Sequence, residues 1–173
     1  MQCQRNRTLL NEAEKRLLYE LQVAVRGHKA DVSFKVRLAD VLDLKDSGIS
    51  SELFSYGLRA HLDFVVIEQD TFKSLFAVEY DGVEHFTDQE TIERDRKKSE
   101  ICRHLNFDLL RVTKCHLEDV FMGKTQLQRL VEDWFVEHNK QPVRPRIAVL
   151  SRPGVSNRIA EPSAGPSSLR SSG

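Results

Sequence analysis

The segment from Leu75 to Lys98 constrains the fold more than any other part of the chain. It opens with the apolar run Leu75–Val78, which predicts a buried strand, and Glu79 and Asp81 follow at the end of that strand. Residues two apart on a strand point to the same side, so we expect both carboxylates to project together. The aspartate-glycine pair that comes next is typical of a turn and ends the strand there.

The turn leads into a strongly charged helix, predicted over residues 88–105. Asp95 and Lys98 are three apart and therefore lie on one face of this helix. His85 precedes the helix and follows the turn. Acids gathered where a buried strand ends, with a histidine and a lysine nearby, are typical of a metal site for phosphate chemistry.

A second apolar strand, residues 61–67 (HLDFVVI), precedes the first one. It is apolar on both sides and so belongs in the middle of a sheet. A hairpin-length connection predicts that it pairs antiparallel with the strand at residues 74–80. In that register Asp63, near the start of one strand, comes opposite Glu79 and Asp81, near the end of the other.

The remaining elements complete an α/β (α+β) fold with a central mixed four-stranded sheet flanked by helices, in the order α-β-β-β-α-β-α. The pattern predicts a helix at 11–25, a half-buried strand at 32–38, a loop at 45–58, a last strand at 107–113 parallel to an earlier one, and a closing helix at 125–138. Residues 1–138 form the predicted domain. The Pro- and Ser-rich residues 139–173 are predicted to be a disordered tail.

Composition restricts the function classes. The formal net charge is +0, so binding to a polyanion requires a local basic patch. The cysteines Cys3, Cys102 and Cys115 are odd in number and widely spaced, which indicates neither a disulfide framework nor a zinc site. The sequence has no apolar stretch of membrane-spanning length. We therefore expect a cytoplasmic protein that does not contact a membrane.

Asp63 stands inside an otherwise apolar strand, where a carboxylate is costly unless it is paired or binds a cation. Grouped with Glu79 and Asp81, it supplies the oxygen ligands that suit Mg²⁺ or Mn²⁺. The alternative is that Asp63 and Glu79 pair with buried arginine or lysine side chains. Composition and spacing alone give the two interpretations equal weight.

The order of these motifs resembles the PD-(D/E)xK nuclease superfamily. The strings NEAE, VRLADVL, HLDFVV, AVEYDGVEH and RDRKKSEICRHLNFDLLRV look like a bacterial domain-of-unknown-function family placed in that superfamily, which also contains very-short-patch-repair endonucleases. The similarity runs from about Leu10 to Lys114. It implies a restriction-endonuclease-like core and a metal-dependent nuclease that hydrolyses phosphodiester bonds, with DNA as the expected substrate.

The resemblance also implies a ligand set. Asp63 and Glu79 match the two direct metal ligands, the backbone carbonyl of Tyr80 would be a third, and Glu14 matches an acid that many members place at the edge of the site. The chain departs from the pattern at Asp81, where the superfamily usually has its catalytic lysine.

Other residues are candidates for the missing roles. Some superfamily members move the cation to the next helix, where Lys98 or Lys97 could serve, with Asp95 orienting Lys98 or touching the metal shell. His85 could act as a general acid or base because the pKa of histidine lies near working pH.

Basic side chains provide candidate phosphate contacts, set against the plainer interpretation of a solvated helix face; they are Arg94, Arg96, Lys97, Lys98, Arg103 and Arg111. Two other classes of function stay open. One is a catalytically weak or inactive nuclease-fold module that binds nucleic acid or a protein, and the other is a structural scaffold. A homodimer or an accessory recognition protein could supply specificity.

Overall fold

The computed structural model describes residues 8–82 and 88–138. Twelve helices and strands follow one another in these residues: α1 (Glu12–Val25), β1 (Ala30–Arg37), α2 (Leu38–Val41), α3 (Ser51–Gly57), β2 (His61–Glu68), β3 (Ser74–Tyr80), α4 (Gln89–His104), β4 (Leu109–Val112), α5 (Lys114–Glu118), β5 (Val120–Phe121), β6 (Lys124–Thr125) and α6 (Gln126–His138). The predicted α-β-β-β-α-β-α order is confirmed, with three short helices and a small hairpin added to it.

The main sheet has the strand order β1-β2-β3-β4. β1 and β2 pair antiparallel, as do β2 and β3, whereas β3 and β4 pair parallel. The sheet is therefore mixed, as predicted, and β2 lies in its interior because both of its faces are apolar. The crossover through α4 brings β4 alongside β3 in the same direction.

Helices cover both faces of this sheet. One face packs against α1, α5 and α6 through residues such as Leu17, Phe64, Phe76 and Leu127. The other packs against α2, α3 and α4 through Leu38, Val65 and Ile101. Burial of apolar side chains in two layers fixes α1 and α4 on opposite faces, with the ends of β2 and β3 between them.

The segment predicted as a loop at 45–58 contains helix α3, so that prediction is wrong. Ser50 caps the helix by accepting a hydrogen bond from the backbone N–H of Leu53. Leu53 is buried in the second core layer. Capping and burial of an apolar residue outweigh the low helix propensity of the serines and glycine there.

Helix α1 begins with a capping box. The Asn11 side chain accepts from the backbone N–H of Glu14, and the Glu14 carboxylate accepts from the backbone N–H of Asn11. We expect Asn11→Ala to lower the free energy of unfolding by ~1 kcal/mol, because the backbone N–H of Glu14 loses its side-chain acceptor. Urea denaturation measures this difference. The exposed Gln22→Ala change on the same helix is the control, and equal losses in the two variants would contradict the capping role.

Two predictions lie outside the described residues: the role of His85 and the disordered tail at 139–173. Within the described ranges, none of the helices combines the length and the apolar character that crossing a bilayer requires.

Candidate functional site

The ends of β2 and β3 are joined by side chains instead of by backbone pairing. Backbone register between the two strands runs as far as Phe64 and Val78. Beyond it, the backbone N–H of Asp63 donates to Glu79 Oε1 (3.3 Å), and the backbone N–H of Tyr80 donates to Asp63 Oδ2 (3.1 Å). This exchange places the Asp63 and Glu79 carboxylates next to each other, as the predicted hairpin register requires.

Helix α4 supplies the cation for this pair. Lys98 Nζ donates to Glu79 Oε2 and to the backbone carbonyl of His61, the latter at 3.2 Å. Glu79 is 2% exposed. Burial raises the pKa of Glu79 from its ordinary 4.5 to about 7; the Lys98 ammonium opposes this rise, and the Asp63 carboxylate adds to it. Glu79 is thus poised to change its charge near neutral pH.

A second lysine, which the sequence did not single out, completes the cluster. Lys35 Nζ on β1 donates to Glu14 Oε1 (2.6 Å) on α1 and to Asp63 Oδ1 (2.9 Å) on β2. These bonds, together with the charges of Asp63 and Glu14, hold the pKa of Lys35 above its ordinary value in spite of partial burial. Strand alternation predicted only a polar position at residue 35 and did not indicate the partners of its side chain.

Asp81 and Asp95 are held by a different cation. Arg111 on β4 donates from Nε and Nη2 to both oxygens of Asp81, at 2.8 and 2.6 Å, and its Nη2 lies 2.8 Å from Asp95 Oδ2. Asp81 therefore has Arg111 bonded to both of its carboxylate oxygens. Asp95 shares a helix face with Lys98, as predicted, but its carboxylate contacts Arg111.

Arg111, predicted from the sequence to contact phosphate, bonds two acids of the chain itself. Its side chain is buried, with 7% of the residue exposed, and its guanidinium faces two aspartates. Arg103 is exposed near the end of α4 and does not line the cavity described next. Arg94 and Lys97 do line it, although Lys97 also pairs with Glu52 at 2.6 Å.

The carboxylates open into a cavity of about 1220 Å³ between α4 and the ends of β2 and β3. Asp63, Glu79 and Lys98 lie among its lining residues, with Tyr56 and Arg94 on the side of the helices. The Tyr56 hydroxyl donates to the backbone carbonyl of Arg94 (2.9 Å), and burial raises the pKa of Tyr56 to about 12. Tyr56 thus stays neutral and ties α3 to α4 along one wall.

The donor set decides whether a divalent metal suits this site. In the described part of the chain, no group of three or more His, Cys, Asp and Glu side chains lies together in an arrangement that could hold a metal ion. Mg²⁺, however, commonly uses only one or two carboxylates and completes its shell with water and substrate phosphate. Counted over residues 8–82 and 88–138, each Asp63 and Glu79 oxygen accepts one hydrogen bond, which leaves it a second lone pair. Asp63 and Glu79 therefore fit Mg²⁺ or Mn²⁺.

Comparison with known proteins identifies a family of unknown function. The family model "Protein of unknown function (DUF2726)" matches residues 6–130, well over half of the chain. The chain belongs to this family, which confirms the prediction of a domain-of-unknown-function family. The matched range contains every site residue from Glu14 to Arg111. No curated protein and no solved structure matches the chain.

Proposed function

We propose that this member of the DUF2726 family is a metal-dependent nuclease that hydrolyses phosphodiester bonds, with DNA as the substrate. The observation that carries the proposal lies where β2 begins and β3 ends. There Asp63 and Glu79 lie side by side at a cavity, and Lys98 contacts Glu79. Two carboxylates and a lysine are the groups that phosphoryl chemistry needs in one place. The sequence resemblance to PD-(D/E)xK nucleases supports the same activity.

The metal would be held by the chain's oxygen atoms. Asp63 and Glu79 would provide the carboxylates, and the Tyr80 carbonyl, at the end of β3, is the third ligand that the resemblance implies. A bound Mg²⁺ or Mn²⁺ polarises a phosphate and lowers the pKa of bound water. Metal ligands must be deprotonated, so a Glu79 pKa of about 7 makes metal affinity rise with pH through neutrality.

The chain's cations act on the substrate. Lys98 on α4 bonds Glu79 and so brings a positive charge to the site. This charge would take the place of the lysine that position 81 lacks. We propose that the Lys98 ammonium offsets the negative charge that builds on the phosphate during attack. Arg94 and Lys97 line the same cavity from α4 and would contact neighbouring phosphates along the strand.

One observation favours the second candidate function, a catalytically weak module that binds nucleic acid or a protein. The site's carboxylates already have cationic partners within the chain: Lys35 for Asp63, Lys98 for Glu79 and Arg111 for Asp81. A site whose charges are satisfied in this way gains less from a metal. In this alternative, the cavity binds its partner without cleaving it.

Manganese titration separates the two candidates. For the nuclease, we expect Mn²⁺ at a hundredfold excess over its Kd to stabilise the fold by about 2.7 kcal/mol, seen as a higher Tm. Asp63→Asn should abolish this shift, whereas Asp31→Asn, an exposed change on β1, should keep it. Plasmid, single-stranded DNA and RNA, each with Mg²⁺ or with EDTA, then report cleavage. Absence of both the Tm shift and cleavage in the wild type would leave the binding module as the better function.

A further inference from the structure

Lys35 has a backbone conformation that strands rarely contain. Its φ is +53°, in the left-handed region, although β1 continues to pair with β2 on both sides of it, at Phe34 with Phe64 and at Val36 with Leu62. A non-glycine residue in this region is strained, and such residues persist where their surroundings require them. This backbone strain indicates that the contacts of the Lys35 side chain require the conformation.

The side chain brings an ammonium between two carboxylates from different elements. Lys35 Nζ lies 2.6 Å from Glu14 Oε1 and 2.9 Å from Asp63 Oδ1. The other oxygen of each carboxylate is also engaged, Glu14 Oε2 with the backbone N–H of Asn11 and Asp63 Oδ2 with that of Tyr80. Both acids are therefore fixed in position around one cation, which belongs to the chain itself.

We propose that the Lys35 ammonium is a tethered substitute for a second divalent metal, so that the chain binds a single metal, between Asp63 and Glu79. This inference rests on the proposed nuclease function. The position between Glu14 and Asp63 has the ligands of a cation site, and Lys35 fills it permanently. An ammonium has three N–H donors, two of which bond these carboxylates, so the third can bond a substrate phosphate.

Removing Lys35 should affect metal binding differently depending on whether it fills a cation position or only forms an ion pair. If Lys35 only stabilises the fold, its loss lowers stability and leaves metal binding unchanged. If it fills a cation position, its loss opens that position, because Glu14 and Asp63 then face each other without a positive charge between them. The number of metal ions bound per chain distinguishes these cases without reference to activity.

The experiment counts Mn²⁺ ions per chain by calorimetry and by electron paramagnetic resonance. We expect one ion in the wild type and two in both Lys35→Met and Lys35→Gly. Glycine accepts a positive φ without strain, so the glycine variant decides the question if Lys35→Met does not fold. Lys29→Gly is the matched control, since Lys29 also has a positive φ (+50°) but pairs with Asp70 at 4.0 Å, outside the site. It should bind one ion.

A further variant tests the identity of the second position. Adding Glu14→Gln to Lys35→Gly should return the count to one, because the opened position loses a carboxylate. Two ions in the wild type, or one in the Lys35 variants, would overturn this inference while the nuclease proposal stands. No ion in the wild type and no cleavage would overturn both.

Discussion

Glu79→Gln should lose metal-dependent DNA hydrolysis by at least about 100-fold and yet be more stable than the wild type at pH 8. The loss of activity follows from the proposed metal ligation, since even residues that only support a metal ligand cost up to about 100-fold when changed. The gain in stability follows from burial, whose effect on the Glu79 carboxylate is larger than the opposing effect of the Lys98 ammonium that bonds it. Glutamine has nearly the shape of glutamate but carries no charge, and the wild type must bury an ionised carboxylate that is 2% exposed.

The pH dependence gives this prediction its sign. In the unfolded chain Glu79 loses its proton near its ordinary pKa of 4.5, and in the folded chain only near about 7. The stability that the neutral carboxyl contributes is therefore complete below pH 4.5 and is lost as the pH rises through 7. The loss amounts to about 3 kcal/mol. Urea unfolding at pH 5 and pH 8 should show the variant gaining by up to that amount relative to the wild type.

Glu90→Gln is the matched control for both readouts. Glu90 is exposed on α4 and lines the same cavity. We expect this variant to cleave DNA like the wild type and to follow the same dependence of stability on pH. A Glu79→Gln variant that cleaves normally would exclude Glu79 as a ligand. A stability difference that is equal at pH 5 and pH 8 would show that Glu79 does not change its ionisation there.

Hydrophobic pattern was sufficient to predict the sheet and the pairing of Asp63 with Glu79. A strand that is apolar on both faces belongs in the interior, and a short connection makes its neighbour antiparallel. Together these place residue 63 opposite residue 79, next to the observed Phe64–Val78 pair. The i, i+3 spacing on α4 likewise put Asp95 and Lys98 on one face. Local rules of this kind need no knowledge of distant contacts.

Contacts between distant segments were not predictable in the same way. Lys35 bonds Glu14 and Asp63 from a backbone with positive φ, a conformation that nothing in a lysine's side chain favours. Arg111 was predicted to be a surface cation. Its burial depends on the parallel register of β3 and β4, which sets Glu79 beside Arg111 and which local sequence does not determine. Lys35 and Arg111 both neutralise acids that were predicted from the sequence as site residues.

Arg111→Met should lower the free energy of unfolding by about 3–5 kcal/mol, the usual cost of removing one partner from a buried ion pair. The change leaves Asp81 and Asp95 close together without the guanidinium that bonds both of them. Arg111→Lys should also destabilise the fold, because lysine cannot form the bidentate hydrogen bonds that arginine donates to Asp81. Arg103→Met, at an exposed position of α4, is the control, with an expected change within about 0.5 kcal/mol.

The ion pair with Arg111 gives the aspartate at position 81 a structural role. Adding Asp81→Asn to Arg111→Met should recover part of the lost stability, since it removes one of the two carboxylates that face each other. By contrast, Asp81→Lys, which would create the motif of the superfamily that the sequence resembles, should destabilise the wild type by setting a second cation against the buried Arg111. If Asp81→Lys were instead stable and raised the cleavage rate, the catalytic cation would belong at position 81, and the role proposed for Lys98 would be wrong.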